Sequence, residues 1–159
     1  MKILIISDSH GNTSYIEEIL SRHVYDQVFH LGDSEISKNH FRMRMVRGNS
    51  FKDDDLTNSL EFKLDGKTFF LTHGHLYDVN NGLNNLFYKA KSLNADYCMF
   101  GHTHIPLFEQ VDNCIFINPG SIVRPRAGFS SYMILDTVTN NCTLYNLLGE
   151  EIEKYEGSS

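Results

Sequence analysis

Ile3-Leu4-Ile5-Ile6-Ser7-Asp8-Ser9-His10-Gly11-Asn12 sets the reading of the whole chain. A short continuous apolar run, ended at once by polar and glycine residues, marks a strand buried on both faces. Asp8 and His10 therefore stand just past its C-terminal end. Ser14 with Glu17 then matches a capping box, and Ile16, Ile19 and Leu20 form an apolar stripe at helical spacing, so a short helix is expected after the first loop. Strand, loop and helix in that order open an α/β architecture.

The same punctuation recurs downstream. Val28 to Leu31 reads as a second strand ending in Gly32-Asp33, and Met43 to Arg47 as a third ending in Gly48-Asn49. Glu61 to Leu64 and Lys67 to Leu71 flank Asp65-Gly66, a strong hairpin signal, and the second arm runs into Thr72-His73-Gly74-His75. Leu83, Leu86, Phe87, Ala90 and Leu93 follow the spacing of an amphipathic helix, with Lys89 and Lys91 toward solvent. Tyr97 to Phe100 returns to strand and stops at Gly101-His102. Leu107 to Val111, Ile115 to Ile117, Tyr132 to Asp136 and Cys142 to Leu147 read as a β-meander turning at Asp112-Asn113 and Asn140-Asn141. The Glu-rich end from Glu150 reads as a frayed tail. Strand-helix-strand units followed by hairpins predict an α/β sandwich of two packed mixed sheets flanked by helices.

Size and charge bound the function. With 159 residues, 41% hydrophobic content and no low-complexity stretch, one domain over residues 1–159 can bury a core without staples. A formal charge of −6 removes bulk attraction to phosphate backbones, so stable nucleic-acid binding is not expected. Cys98, Cys114 and Cys142 are an odd number without CxxC spacing and read as reduced core thiols. The apolar opening stops at Ser7-Asp8, too short for a signal-peptide core or a membrane span, so a cytoplasmic protein without membrane attachment is expected.

Seven residues carry the chemistry: Asp8, His10, Asp33, Asn49, His73, His102 and His104. Each follows an apolar run and stands beside a small or turn-forming neighbour. Carboxylates, an amide and imidazoles offer hard oxygen and borderline nitrogen donors, and loops at strand ends can gather such donors from distant parts of a chain. Gly32, Gly48 and Gly101 permit backbone angles or close approaches at sharp strand exits. His102 and His104 would point oppositely on a regular strand, so a loop is expected at Gly101 if both face one centre.

In this order, Asp8-Ser9-His10-Gly11-Asn12, Gly32-Asp33, Gly48-Asn49, Thr72-His73-Gly74-His75 and Gly101-His102-Thr103-His104 resemble the calcineurin-like metallophosphoesterases. With Asn118-Pro119-Gly120-Ser121 and the short length, the chain looks most like their small bacterial and archaeal phosphodiesterase branch, which includes a retromer subunit of the same fold. The resemblance implies that Asp8, His10 and His104 hold one metal, Asn49, His73 and His102 another, with Asp33 bridging. Two divalent ions are implied, Mn²⁺ first, with Zn²⁺, Fe²⁺, Ni²⁺ and Mg²⁺ also suited. A carboxylate at the bridge offsets the repulsion of two nearby cations, and a hydroxide they share would attack phosphorus in line. The implied activity is hydrolysis of a small or nucleotide-like phosphodiester. A phosphomonoesterase and a non-catalytic protein-binding scaffold of the same fold are the alternatives.

Other residues are weighed on their own chemistry. Arg124 and Arg126 could grip nonbridging phosphate oxygens or be solvated loop charges. His75 could contact substrate or orient a loop. Many members of the wider family carry a His directly after the Gly-Asn pair, whereas this chain has Ser50 and Phe51. A serine hydroxyl is a poor acid, which predicts slow turnover or a preference for leaving groups that need little protonation, with His75 a partial substitute. His23, His30 and His40 read as structural, Ser9 and Asn12 as helix caps, and Asp53-Asp54-Asp55 as an exposed loop. Ile122, Val123 and Phe129 offer a self-association surface for a homo-oligomer.

Overall fold

Ile3 and Ile5 of the first strand, β1 (Lys2–Ile6), join one core cluster while Leu4 and Ile6 join another, and all four are fully buried. That split is the two-residue side-chain period of a strand covered on both faces. The computed structural model, which describes residues 1–126 and 128–158, shows what covers them. After β1 come α1 (Thr13–Arg22), β2 (Gln27–His30), β3 (Arg44–Met45), β4 (Ser59–Leu64), β5 (Lys67–Thr72), α2 (Asn84–Ser92), β6 (Tyr97–Met99), β7 (Leu107–Val111), β8 (Cys114–Asn118), β9 (Ser131–Asp136), β10 (Asn141–Asn146) and β11 (Glu151–Glu156).

These strands form two mixed sheets, in the orders β11-β10-β9-β1-β2-β3 and β4-β5-β6-β8-β7. Each contains a parallel trio, β1-β2-β3 and β5-β6-β8. Between the sheets lie Ile3, Ile5 and Phe29 with Phe69, Leu71, Tyr97 and Met99. On the first sheet's outer face, Leu4 and Ile6 meet Ile16 and Ile19 of α1. On the second sheet's outer face, Phe70, Cys98 and Phe116 meet Leu86 and Ala90 of α2. The result is the expected sandwich of two sheets between helices. Every strand of the parallel trios delivers its C-terminal end to a loop bearing a candidate residue, the edge where open α/β sheets place their sites.

Several local expectations change. The Ser14–Glu17 pair does not cap α1; Asn12 does, as its own reading expected, its side-chain oxygen accepting from the Tyr15 N–H at 3.1 Å. The third strand shrinks to two residues. The later strands are not one meander, because β7-β8 belongs to one sheet and β9-β10 to the other. The Glu-rich end is β11, an edge strand paired with β10 whose charged side chains face solvent. Ile122 is fully buried and Val123 and Phe129 pack against the core, so these three do not present a free apolar face. Cys98, Cys114 and Cys142 are free thiols, and burial pushes each of them up. Among the described residues no helix is long and apolar enough to cross a membrane.

Candidate metal centre

The backbone at the strand exits is unusual. Asp8, His10, Asp33, Glu35, His102 and His104 all adopt positive φ, between 44° and 68°. Side chains with a Cβ avoid that region, although Asp and His enter it more readily than most, and such strain gathers at functional sites. His102 and His104 therefore sit in the irregular loop expected after β6, and both turn toward the cleft. The glycines act here mainly through close approach. A Cβ on Gly48 would overlap the Asp33 carboxylate and backbone, and one on Gly101 would overlap the Ser7 hydroxyl.

Three chain segments converge on Asp8, which is fully buried. The Ser7 hydroxyl donates to Asp8 Oδ2 at 2.5 Å, while His104 Nε2 and His73 Nε2 lie 3.1 and 3.7 Å from Oδ1. Burial pushes the Asp8 pKa up, but the His104 hydrogen bond, the His73 charge and Ser7 outweigh it and hold the carboxyl below its ordinary value. Asp33 behaves likewise: burial opposes ionisation, and His73 and the Ser50 N–H at 2.8 Å overcome it. Both carboxylates are ionised at neutral pH.

His73 shows that these donors suit a cation. Its Nδ1 donates to the Leu31 carbonyl at 2.7 Å. Nε2 then faces oxygens alone: Asn49 Oδ1 at 3.1 Å, Asp33 Oδ2 at 3.3 Å and Asp8 Oδ1 at 3.7 Å. A neutral ring would present its lone pair to three acceptors, so the arrangement requires a positive charge among them, a proton or a metal ion. The His73 pKa reflects that demand. Burial pushes it down, yet the Asp33 hydrogen bond and the two carboxylate charges raise it above its ordinary value. A second sign is His10 Nε2, buried and without a hydrogen-bond partner among the described residues, 3.9 Å from Asp33 Oδ2.

The donor atoms form two overlapping triads, each within 4.8 Å: Asp8-His10-His104 and Asp8-Asp33-His73. The first matches one implied ligand set. In the second, Asp8 is shared and His102 stands outside, its ring centre 5.1 Å from that of His73. Asp33 Oδ2 lies 3.9 Å from His10 Nε2 and 3.3 Å from His73 Nε2, within reach of both groups of donors. His75 is half-buried with its ring 5.5 Å from His73, and burial, then the His73 charge, lowers its pKa. Arg124 and Arg126 line the same cleft of about 410 Å³, and the Arg126 N–H donates to the His104 carbonyl at 3.1 Å.

Three residues to which the sequence reading gave no supporting role brace the site. Asp53, expected in an exposed loop, is 1% exposed, and its carboxylate accepts from the backbone N–H groups of Asp33 (2.7 Å), Gly48 (3.0 Å) and Glu35 (3.0 Å). One buried anion thus ties the Asp33 loop to the Asn49 loop. Glu35 accepts from His10 Nδ1. Asn118 Nδ2 donates to the Gly101 carbonyl at 3.1 Å and braces the two-histidine loop. Of the histidines expected to be structural, His30 is fully buried and bonded to Ser9 Oγ at 2.8 Å and His23 bonds the Tyr132 hydroxyl at 2.6 Å, whereas His40 is exposed with its ring against that of Phe41. Ser9 is therefore no helix cap.

Comparison with known proteins identifies the family. Residues 1–140 match the model of the calcineurin-like phosphoesterase superfamily domain. The chain is 37% identical over 161 residues to the probable metallophosphoesterase YsnB of Bacillus subtilis, covering 96% of this chain and 95% of that protein. It is 30% identical to the phosphodiesterase MJ0936 of Methanocaldococcus jannaschii, covering 86% and 93%. The crystal structure of a conserved protein from Streptococcus pneumoniae, described as a predicted phosphoesterase, superposes with a TM-score of 0.86 at 30% identity, covering 98% and 97%.

Proposed function

The chain belongs to the calcineurin-like phosphoesterase superfamily, and on that premise we propose that it is a phosphodiesterase working with two divalent metal ions. The observation that carries this reading is the meeting of Asp8 Oδ1, Asp33 Oδ2 and His73 Nε2, brought from three separate loops to within 4.8 Å of one another. Divalent ions held there, Mn²⁺ first among those suited, would supply an acidified water and offset charge on the phosphoryl oxygens.

In this reading Asp8, His10 and His104 hold one ion, Asn49, His73 and His102 the other, and Asp33 serves both. The Leu31 carbonyl and the Ser7 hydroxyl keep His73 and Asp8 oriented, so little reorganisation is left to the reaction. Arg124 and Arg126 sit at the cleft wall and grip nonbridging phosphate oxygens. Ser50 lines the cleft where a proton donor would help, and it is a poor acid. Esters of acidic alcohols are therefore the favoured substrates, and His75, its ring 5.5 Å from that of His73, is the imidazole that would assist poorer leaving groups.

The diesterase name of the M. jannaschii relative supports a diester over a monoester. A direct comparison of chromogenic mono- and diester hydrolysis in added Mn²⁺ tests it. Faster diester turnover is expected; faster monoester turnover would make the protein a phosphomonoesterase. His75→Ala should slow only diesters with poor leaving groups, and unchanged rates on those would remove His75 from the chemistry.

A further inference from the structure

The orphaned nitrogen of His10 has a cause on the opposite edge of the same ring. Nδ1 of His10 is hydrogen-bonded to a Glu35 carboxylate oxygen, and the other oxygen of Glu35 lies 3.3 Å from Lys52 Nζ. Glu35 is held there from behind. Its N–H donates to Asp53 at 3.0 Å, and its backbone sits in the left-handed region at φ 55°. The two segments are also laced together, since His10 N–H donates to the Asp33 carbonyl at 2.9 Å and Gly11 N–H to the Ser34 carbonyl at 2.7 Å. The ring and the carboxylate thus belong to one rigid unit.

We propose that Glu35 is the positioning residue for His10, resting on the reading that the cleft holds metal ions. A carboxylate beside a lysine accepts and does not donate, so His10 must carry its proton on Nδ1. The lone pair is then on Nε2. A doubly protonated ring does not fit, because the second N–H would be buried with no acceptor within bonding distance, Asp33 Oδ2 being 3.9 Å away. Glu35 fixes the tautomer and aims the lone pair into the cleft. Outer partners of this kind typically change metal affinity about 10–100-fold. Lys52 is largely exposed, so its contribution is smaller.

The test uses the intact protein and two readouts, the ¹⁵N shifts of the His10 ring in metal-free protein and Mn²⁺ titration by calorimetry. Wild type should show a proton on Nδ1 and a bare Nε2. Glu35→Ala should mix the tautomers and weaken one of two Mn²⁺ sites about 10–100-fold, leaving the other within a few-fold. Glu35→Gln keeps an acceptor oxygen, should hold the tautomer and should recover part of the affinity. It also serves if the alanine variant fails to fold. Two Mn²⁺ sites of unchanged affinity in either folded variant, or a wild-type ring protonated on Nε2, would overturn the proposal while leaving the phosphodiesterase reading intact. A wild-type chain that binds no Mn²⁺ would instead overturn that reading, and this proposal with it.

Discussion

The Leu31 carbonyl oxygen lies 2.7 Å from His73 Nδ1, and this single hydrogen bond decides which edge of the His73 ring faces the cleft. Leu31 is buried immediately after β2, and His73 is buried immediately after β5. The bond therefore joins the exits of two strands in different sheets. It turns the packing of the sandwich into the orientation of a candidate ligand nitrogen.

Metal ions should stabilise the fold measurably. Oxygens and nitrogens that repel in the free chain become ligands, so Mn²⁺ at 100 times its Kd should add about 2.7 kcal/mol. At roughly 2–4 °C per kcal/mol for a chain of this size, Tm should rise by about 5–10 °C. A chelator should reverse the shift. His73→Gln, which cannot keep both of its contacts, should lose at least half of it.

Gly48→Ala tests the close approach to Asp33. The added methyl would collide with backbone as well as carboxylate, so the Asn49 loop and Asp33 must separate. Activity should fall at least about 10²-fold, the scale of a 1 Å misplacement. Calorimetric Mn²⁺ titration should weaken in parallel. Gly66→Ala is a control, since a Cβ there meets nothing within 4 Å and only its positive φ of 76° is strained.

Asp53→Ala should be strongly destabilising although, among the described residues, Asp53 hydrogen-bonds to no candidate ligand side chain. Three backbone N–H groups and the Ser34 hydroxyl would lose their acceptor. At about 1–3 kcal/mol for each buried group left unsatisfied, a loss of roughly 3 kcal/mol or more is expected. Urea denaturation reads it directly. Asp53→Asn should lose less.

His30 predicts a pH dependence of stability. Burial, opposed by the charges of Asp8 and Asp53, lowers its pKa to about 4. The unfolded chain takes up the proton near pH 6.5 and the folded chain only near pH 4, so stability falls as pH drops through that window and levels off below it. The loss is about 3 kcal/mol. Urea denaturation of chelator-treated wild type and His30→Gln at pH 7 and pH 4.5 isolates the contribution. The variant should show the smaller decline.

What the sequence disclosed follows the range of the interactions involved. β1, β2 and β5 were legible because strands buried on both faces leave unbroken apolar runs, and Asp65-Gly66 marks its turn locally. The candidate ligands were legible because each strand ends at a small residue followed by a donor. Asp53 was not, since three adjacent acids look the same whether solvated or, as here, one of them is folded back under a loop by tertiary contacts. β11 hid because an edge strand owes its structure to backbone pairing and its side chains face water. Asn12 won the cap over Ser14 because the Ser9-His10-Gly11 loop sets where the helix can begin. Glu35 carries no local signal, since nothing nearby in sequence tells that His10 is its partner.

Metal analysis of purified wild type and Asp33→Ala after loading with Mn²⁺ and removal of excess tests the central claim most directly. Two equivalents per wild-type chain and one or fewer in the variant, with diester hydrolysis lost in step, is the predicted result. Fewer than two equivalents in wild type, or the same content and the same hydrolysis rate in both proteins, would contradict it.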